Sequence, residues 1–224
     1  MISFSPSGRG PGYKDVGFKH NPFLALVVPR PIGWISSVSA AGIVNLAPYS
    51  FFNGISVRPP MVMYASNDFH EQDKGEKDTV RNIRQTRQFV VNLATFAQQT
   101  EMNNSSASAP RDVDEFEAVG LEKLPGQFVN VPRVKGAPVH LECELIQFVD
   151  LTDGGRDQGP IVTLGRVVGI HIDEALIDDD GTVDITRARP MARLGYFLYC
   201  SVDETFEIAR PTWPLGGKAD YDVA

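Results

Sequence analysis

The chain has 224 residues, 42% of them hydrophobic, and a formal net charge of −7. That length and apolar content suit one large domain with a full core and argue against disorder. An acidic chain with no Lys/Arg run excludes a nucleic-acid surface, and no stretch approaches the roughly 20 apolar residues of a membrane span.

Residues 1–19 are rich in Gly, Ser and Pro and read as an N-terminal arm with little structure of its own. Leu24 to Val28 reads as a short apolar strand stopped by Pro29-Arg30-Pro31. Residues 32–39 and 43–46 then form a predicted β-hairpin, with Ala41-Gly42 as its turn. Met61 to Ala65 is a further apolar strand, and polar residues 66–78 form a loop. Asp78 or Thr79 caps a predicted helix whose apolar side is Val80 and Ile83.

Phe89 to Leu93 is another strand, followed by a helical region over 95–102 and a polar loop over 103–110. Residues 112–118 predict a short helix ended by Gly120. Val139, Leu141, Cys143 and Leu145 alternate with His140, Glu142 and Glu144, the period of a half-buried antiparallel strand. Gly154-Gly155 turns the chain, and Ile161 to Ile172 runs back as the partner strand. Tyr196 to Val202 is a late strand, and the tail from 206 to 224 is irregular. Many short strands, few helices and repeated Gly/Pro turns point to a closed antiparallel barrel.

Several chemistries are missing. Gly8, Gly10 and Gly12 lie in the arm with no strand before them, so they make no dinucleotide fingerprint. No Walker loop and no G-x-S-x-G occurs. The four histidines are scattered, and Cys143 and Cys200 make neither a C-x-x-C pair nor a zinc site. With no disulfide framework and no basic-then-apolar leader, the expected location is the cytoplasm.

Two clusters carry chemistry. Residues 32–39 and 47–54 place hydroxyls, amides and flat rings together: Trp34, Ser50, Phe51, Phe52 and Asn53. Such groups suit a planar ring with a polar edge, although composition alone favours ordinary core packing. Lys77-Asp78-Thr79 with Asn82 opens a helix where free N–H groups and the dipole favour a phosphate. Taken alone these residues favour a plain capped surface helix, and Asp78 opposes a phosphate unless its carboxylate turns away.

Taken in order, Arg30-Pro31-Ile32-Gly33-Trp34-Ile35-Ser36-Ser37-Val38-Ser39, Asn45 to Asn53, Pro59-Pro60, Lys77-Asp78-Thr79 with Asn82-Ile83, Phe89 to Leu93 and Arg193-Leu194-Gly195 resemble the flavin reductase-like family of FMN-binding split barrels. The resemblance spans roughly residues 20–205. It implies a mainly β fold, a six-stranded antiparallel split barrel with flanking helices, usually a homodimer with FMN at the subunit interface. It places Trp34, Ile35, Ser36, Ser37, Ser50, Phe51, Phe52 and Asn53 along the isoalloxazine and ribityl chain. Ser66, Lys77, Asp78 and Thr79 fall at the phosphate, with Asn82 supporting that loop. Arg193 falls near the flavin or a nicotinamide nucleotide, with one Gly before Tyr196 where related proteins often have two. The implied activity is NAD(P)H:flavin oxidoreduction, hydride passing to flavin N5 and reduced flavin passing to an acceptor such as a monooxygenase or redox protein. A flavoredoxin-like electron carrier with tightly held FMN and no nicotinamide site is the alternative, and the 103–110 loop is a candidate cover.

Overall fold

The β-rich pattern resolves into one dominant antiparallel sheet. A computed structural model describes residues 1–67, 69–151 and 159–214. The expected turn at Gly154-Gly155 and the tail beyond residue 214 lie outside the described residues.

The strands in chain order are β1 (Arg30–Pro31), β2 (Gly33–Val38), β3 (Val44–Tyr49), β4 (Phe52–Val57), β5 (Pro60–Ser66) and β6 (Gln88–Leu93). Then come β7 (Lys123–Leu124), β8 (Arg133–Val134), β9 (Val139–Asp150), β10 (Ile161–Ile172), β11 (Met191–Arg193) and β12 (Tyr199–Ser201). The α-helices are α1 (Phe23–Leu26), α2 (Asp78–Thr86), α3 (Gln99–Asn104) and α4 (Glu115–Ala118). No helix among the described residues is long and apolar enough to cross a membrane.

Seven strands, not six, form the main sheet, in the order β3-β2-β6-β9-β10-β5-β4. Its two edges, β3 and β4, are consecutive in the chain but lie at opposite ends of the ladder. The sheet therefore curls round to bring its edges back to the two-residue bend at Ser50-Phe51 without pairing them, which is a barrel with a split seam. β1, β11 and β12 make a separate three-stranded sheet beside it.

The predicted hairpin forms as β2 and β3, with Gly42 at φ +85° in its turn. The barrel interior holds Ile35, Tyr49, Tyr64, Ile83, Phe89, Cys143 and Leu145. A second core, outside the barrel, packs Ile32, Trp34 and Leu46 against Met102 of α3 and Phe116 of α4. Strand alternation accounts for the division, since Trp34 and Ile35 point to opposite faces of β2.

Three expectations are corrected. Residues 23–26 are helical rather than a strand. The Arg30 guanidinium gathers the carbonyls of Leu24 and Val27, bending this segment back on itself and holding it to Leu194 O. In β9, His140 and Glu142 are buried rather than solvent-facing. The segment 125–134 folds over that face, and Glu142 accepts the backbone N–H groups of Gln127, Phe128 and Val129. Finally, the late strand is confined to Tyr199–Ser201, because Tyr196 takes a left-handed turn conformation at φ +58°.

Candidate functional site

The residues of β3 alternate between two jobs. Asn45, Ala47 and Tyr49 line a cleft, while Leu46 between them enters the second core. The start of α2 adjoins them through Lys77, Asp78 and Thr79, with Thr79 Oγ1 2.7 Å from Asn45 Oδ1. Phe69, His70 and Glu71 and residues 105–109 complete its lining. The proposed covering loop therefore borders the cleft over 105–109, while Asn103 and Asn104 belong to α3.

Helix α2 forms because Val80 and Ile83 bury one face against the barrel, and it stops at Arg87 in the left-handed region. Its start differs from expectation. Lys77, in extended conformation, occupies the N-cap position, and no side chain caps the helix. Asp78 and Thr79 are the first helical residues, so the N-terminal amides carry the helix dipole without a side-chain acceptor.

The Asp78 carboxylate is turned away from those amides. It pairs with the guanidinium of Arg111 and stands 3.4 Å from His70 Nε2. Arg111 also holds both oxygens of Asp73 at 2.8 Å and donates to Glu76 O at 2.9 Å. These bonds to Arg111 hold the Asp73 carboxyl well below the usual carboxylate range and raise the Arg111 guanidinium in turn. His70 Nε2 lies 3.2 Å from Ala109 O, tying the covering loop to the same cluster. Lys77 is a cation on the cleft with no ion pair among the described residues.

Behind the cleft lies a buried polar network. Thr79 Oγ1 donates to Asn45 Oδ1 at 2.7 Å, and Asn82 Nδ2 donates to Ser37 Oγ at 3.1 Å. Glu115 Oε2 accepts Leu46 N at 2.9 Å, and burial raises its carboxyl above the usual range. Tyr49 Oη is buried beside the Thr79 and Ser66 hydroxyls but has no hydrogen bond of acceptable geometry. Burial pushes the Tyr49 phenol up to about 12, so it stays protonated.

The structure brings some expected site residues together and not others. Lys77, Asp78 and Thr79 line the cleft, with Ser37 and Asn82 directly behind them. Ser66 is buried next to Tyr49. The Trp34 indole and the Ile35 side chain are wholly buried, so neither offers a face to a ring from this chain. Ser36 Oγ is committed to Pro132 O at 2.6 Å. Ser50 lies at the bend beyond Tyr49, and Phe51 lies under Arg30, 5.7 Å from its guanidinium carbon. Phe52 packs over Gly33, where any Cβ would come within 2.7 Å of the ring. Asn53 is exposed on β4. Arg193 stands in a separate groove with Asn103, Asn104, Phe197 and Tyr199, bonded to Tyr199 Oη and Tyr196 O.

Sequence reasoning missed Arg111, His70, Glu115 and Tyr49. Tyr49 was within reach, since it continues the 45-47-49 alternation into the cleft. Arg111 and His70 sit in aperiodic segments and carried no local signal.

Comparison with known proteins agrees with this architecture. The chain is similar to nitrilotriacetate monooxygenase component B from Bacillus cereus, 28% identical with a TM-score of 0.82, covering 93% of this chain and 98% of that one. It is similar to 2-nitrobenzoate 2-nitroreductase from Pseudomonas fluorescens, 30% identical with a TM-score of 0.74, covering 87% and 92%. A split-barrel domain protein from Shewanella frigidimarina, 21% identical with a TM-score of 0.73 over 84% and 89%, shares the fold. Residues 25–189 match the flavin reductase like domain. A match over that much of the chain, on a split barrel whose seam and cleft are described above, makes this protein a member of the flavin reductase-like family.

Proposed function

We propose that the protein is an FMN-binding oxidoreductase, an NAD(P)H:flavin reductase that passes reduced flavin or electrons to an acceptor. The observation that carries this reading is the helix start at Asp78: it is uncapped, flanked by Lys77, a cation with no ion pair among the described residues, and the Asp78 carboxylate is drawn off by Arg111. In an acidic chain, that local arrangement fits a phosphate-tailed ligand. FMN, when bound, supplies the two-electron chemistry.

The chain's own residues have simpler tasks. The N-terminal amides of α2 and Lys77 hold the phosphate. The Asn45, Ala47 and Tyr49 face of β3 aligns the rest of the molecule, and residues 105–109 shield it from water. Glu115, buried beside the cleft, fixes β3 by accepting Leu46 N.

A homodimer fits this reading. Phe23, Leu24, Leu26, Val27 and Val28 are exposed around the Arg30 anchor, as are Phe197 and Leu198. A contiguous apolar surface of this kind suits burial against a second copy. The Bacillus cereus neighbour, a monooxygenase component, supports a monooxygenase as the electron acceptor. A cytoplasmic location goes with that reading.

The test is anaerobic mixing of the purified, flavin-loaded protein with NADH and with NADPH while the flavin absorbance is followed. Rapid bleaching is expected. Bleaching only by dithionite or a reduced protein partner replaces the reductase with a flavoredoxin-like carrier. A colourless protein that refuses added FMN overturns the flavin reading.

A further inference from the structure

Resting on the homodimer reading above, we propose that residues 204–213 form an exchanged arm, which leaves its own chain and docks on the apolar, positively charged face around Arg193 of a second copy. Asp203 roots the arm, 3.5 Å from Arg189, and every described residue beyond it is exposed. Phe206, Ile208 and Trp213 keep 84%, 79% and 86% of their surface in water. No backbone N–H from Asp203 to Ile208 finds a backbone acceptor among the described residues. Such a segment buries nothing on its own chain, and its apolar side chains and free backbone groups suit a partner surface.

The receiving face is built on two cations. Arg30 and Arg193 stand opposite each other on β1 and β11, and neither has an ion pair among the described residues. Burial, and then the Arg193 charge, hold the Arg30 guanidinium below its usual range. Arg30 is buried and bonded to carbonyls, so it adds positive field from beneath. Arg193 lines a groove with Phe197 and Tyr199, and its bond to Tyr196 O lies at the surface. A guanidinium has more N–H groups than its bonds to Tyr199 Oη and Tyr196 O use, so donors remain for a carboxylate. Gly195 packs on Ala25, which joins exposed Phe23, Leu24 and Leu26 to Phe197 and Leu198 in one apolar surface.

The arm complements that face. Phe206 and Ile208, two positions apart, share one side of an extended strand. Glu204 and Glu207 have no ion pair among the described residues, and Arg210 is the arm's one cation. In a chain of net charge −7, two copies repel unless an acidic element of one meets a basic face of the other. An arm and a face that fit each other on the same chain make an interface that closes with two copies.

Sedimentation velocity over a concentration series, with hydrogen exchange of the full-length protein, tests this. A dimer is expected, with the amides of residues 204–209 protected only at concentrations where it forms. Glu204→Lys with Glu207→Lys alters exposed side chains alone and is expected to weaken the dimer roughly ten-fold or more. Arg193→Gln is expected to weaken it too, and the combined variant to lose less than the two losses added. If Arg193→Gln fails to fold, the arm variant decides alone. Additive losses, or a dimer that the arm variant leaves unchanged, overturn the inference. So does an arm unprotected in the dimer, or one already protected in the monomer, which places it on its own chain. A protein that stays monomeric at every concentration overturns the homodimer reading itself, and this inference with it.

Discussion

The indole Nε1 of Trp34 donates to the Ser105 hydroxyl at 2.9 Å, and Ser105 passes its own proton to Met102 O at 2.8 Å. Trp34 lies in β2, in the second core, while Ser105 begins the segment that borders the cleft. The buried indole of this sequence run thus anchors the segment that borders the cleft. The expected consequence is separable from packing. Trp34→Phe keeps most of the apolar volume but loses the N–H, leaving the Ser105 hydroxyl bonded to Met102 O alone. A stability loss of about 1–2 kcal/mol is expected, together with faster hydrogen exchange confined to residues 105–109. Exchange that rises evenly across the second core instead assigns Trp34 to packing only.

Arg111 decides whether the α2 start attracts or repels an anion. Without it, Asp78 on the cleft and Asp73 beside it both lose their guanidinium partner, and His70 stands 3.4 Å from each. Arg111→Ala is expected to weaken FMN binding about ten-fold, measured by fluorescence quenching, with riboflavin less affected. Adding Asp78→Asn to that variant is expected to restore much of the loss, since the repelling charge is then gone. A double-mutant cycle reads the coupling directly. Additive losses sink the neutralisation argument.

Thr79 acts from within the cleft wall. Its hydroxyl joins α2 to β3 through Asn45, a bond buried on both sides. Thr79→Ala leaves Asn45 Oδ1 without its donor and is expected to cost about 1–3 kcal/mol of stability and to loosen FMN as a secondary effect. Thr79→Ser keeps the hydroxyl and is expected to hold both. Thermal unfolding and FMN titration of the pair check this; a Thr79→Ala chain of unchanged Tm overturns it.

The same contrast explains how much was legible beforehand. Period-two runs such as β9 and β10, and the hairpin turn at Gly42, record local backbone demands and read directly from sequence. The helix beginning near Lys77-Asp78-Thr79 was legible too, although its N-cap falls at Lys77 and not at Asp78 or Thr79. Leu24 to Val28 misled because a short apolar run fits strand and helix alike, and the deciding contact, Arg30 to Leu24 O and Val27 O, closes back on the segment from outside it. His140 and Glu142 misled because the segment covering them arrives from residues 125–134. Arg111 reaches Asp78 across 33 positions, and no pattern in sequence encodes that meeting.

Glu142 makes the fold's acid sensitivity testable. Burial alone would raise its carboxyl, but the N–H groups of Gln127, Phe128 and Val129, with His171 Nε2 at 2.6 Å, outweigh burial and hold it below the ordinary range. A carboxyl depressed in the fold stabilises fully above its unfolded pKa, about 4.3, and that stabilisation fades as pH falls through the lower folded value. Glu142→Gln is therefore expected to cost about 2–3 kcal/mol at neutral pH, where the charged bonds to the 127–129 backbone are lost. Below pH about 4.3 the two proteins are expected to converge, the variant showing the shallower acid limb. Urea unfolding across that range measures it. Parallel curves for the two proteins mean that some other carboxylate sets the acid limit and that Glu142 serves the covering segment by shape alone.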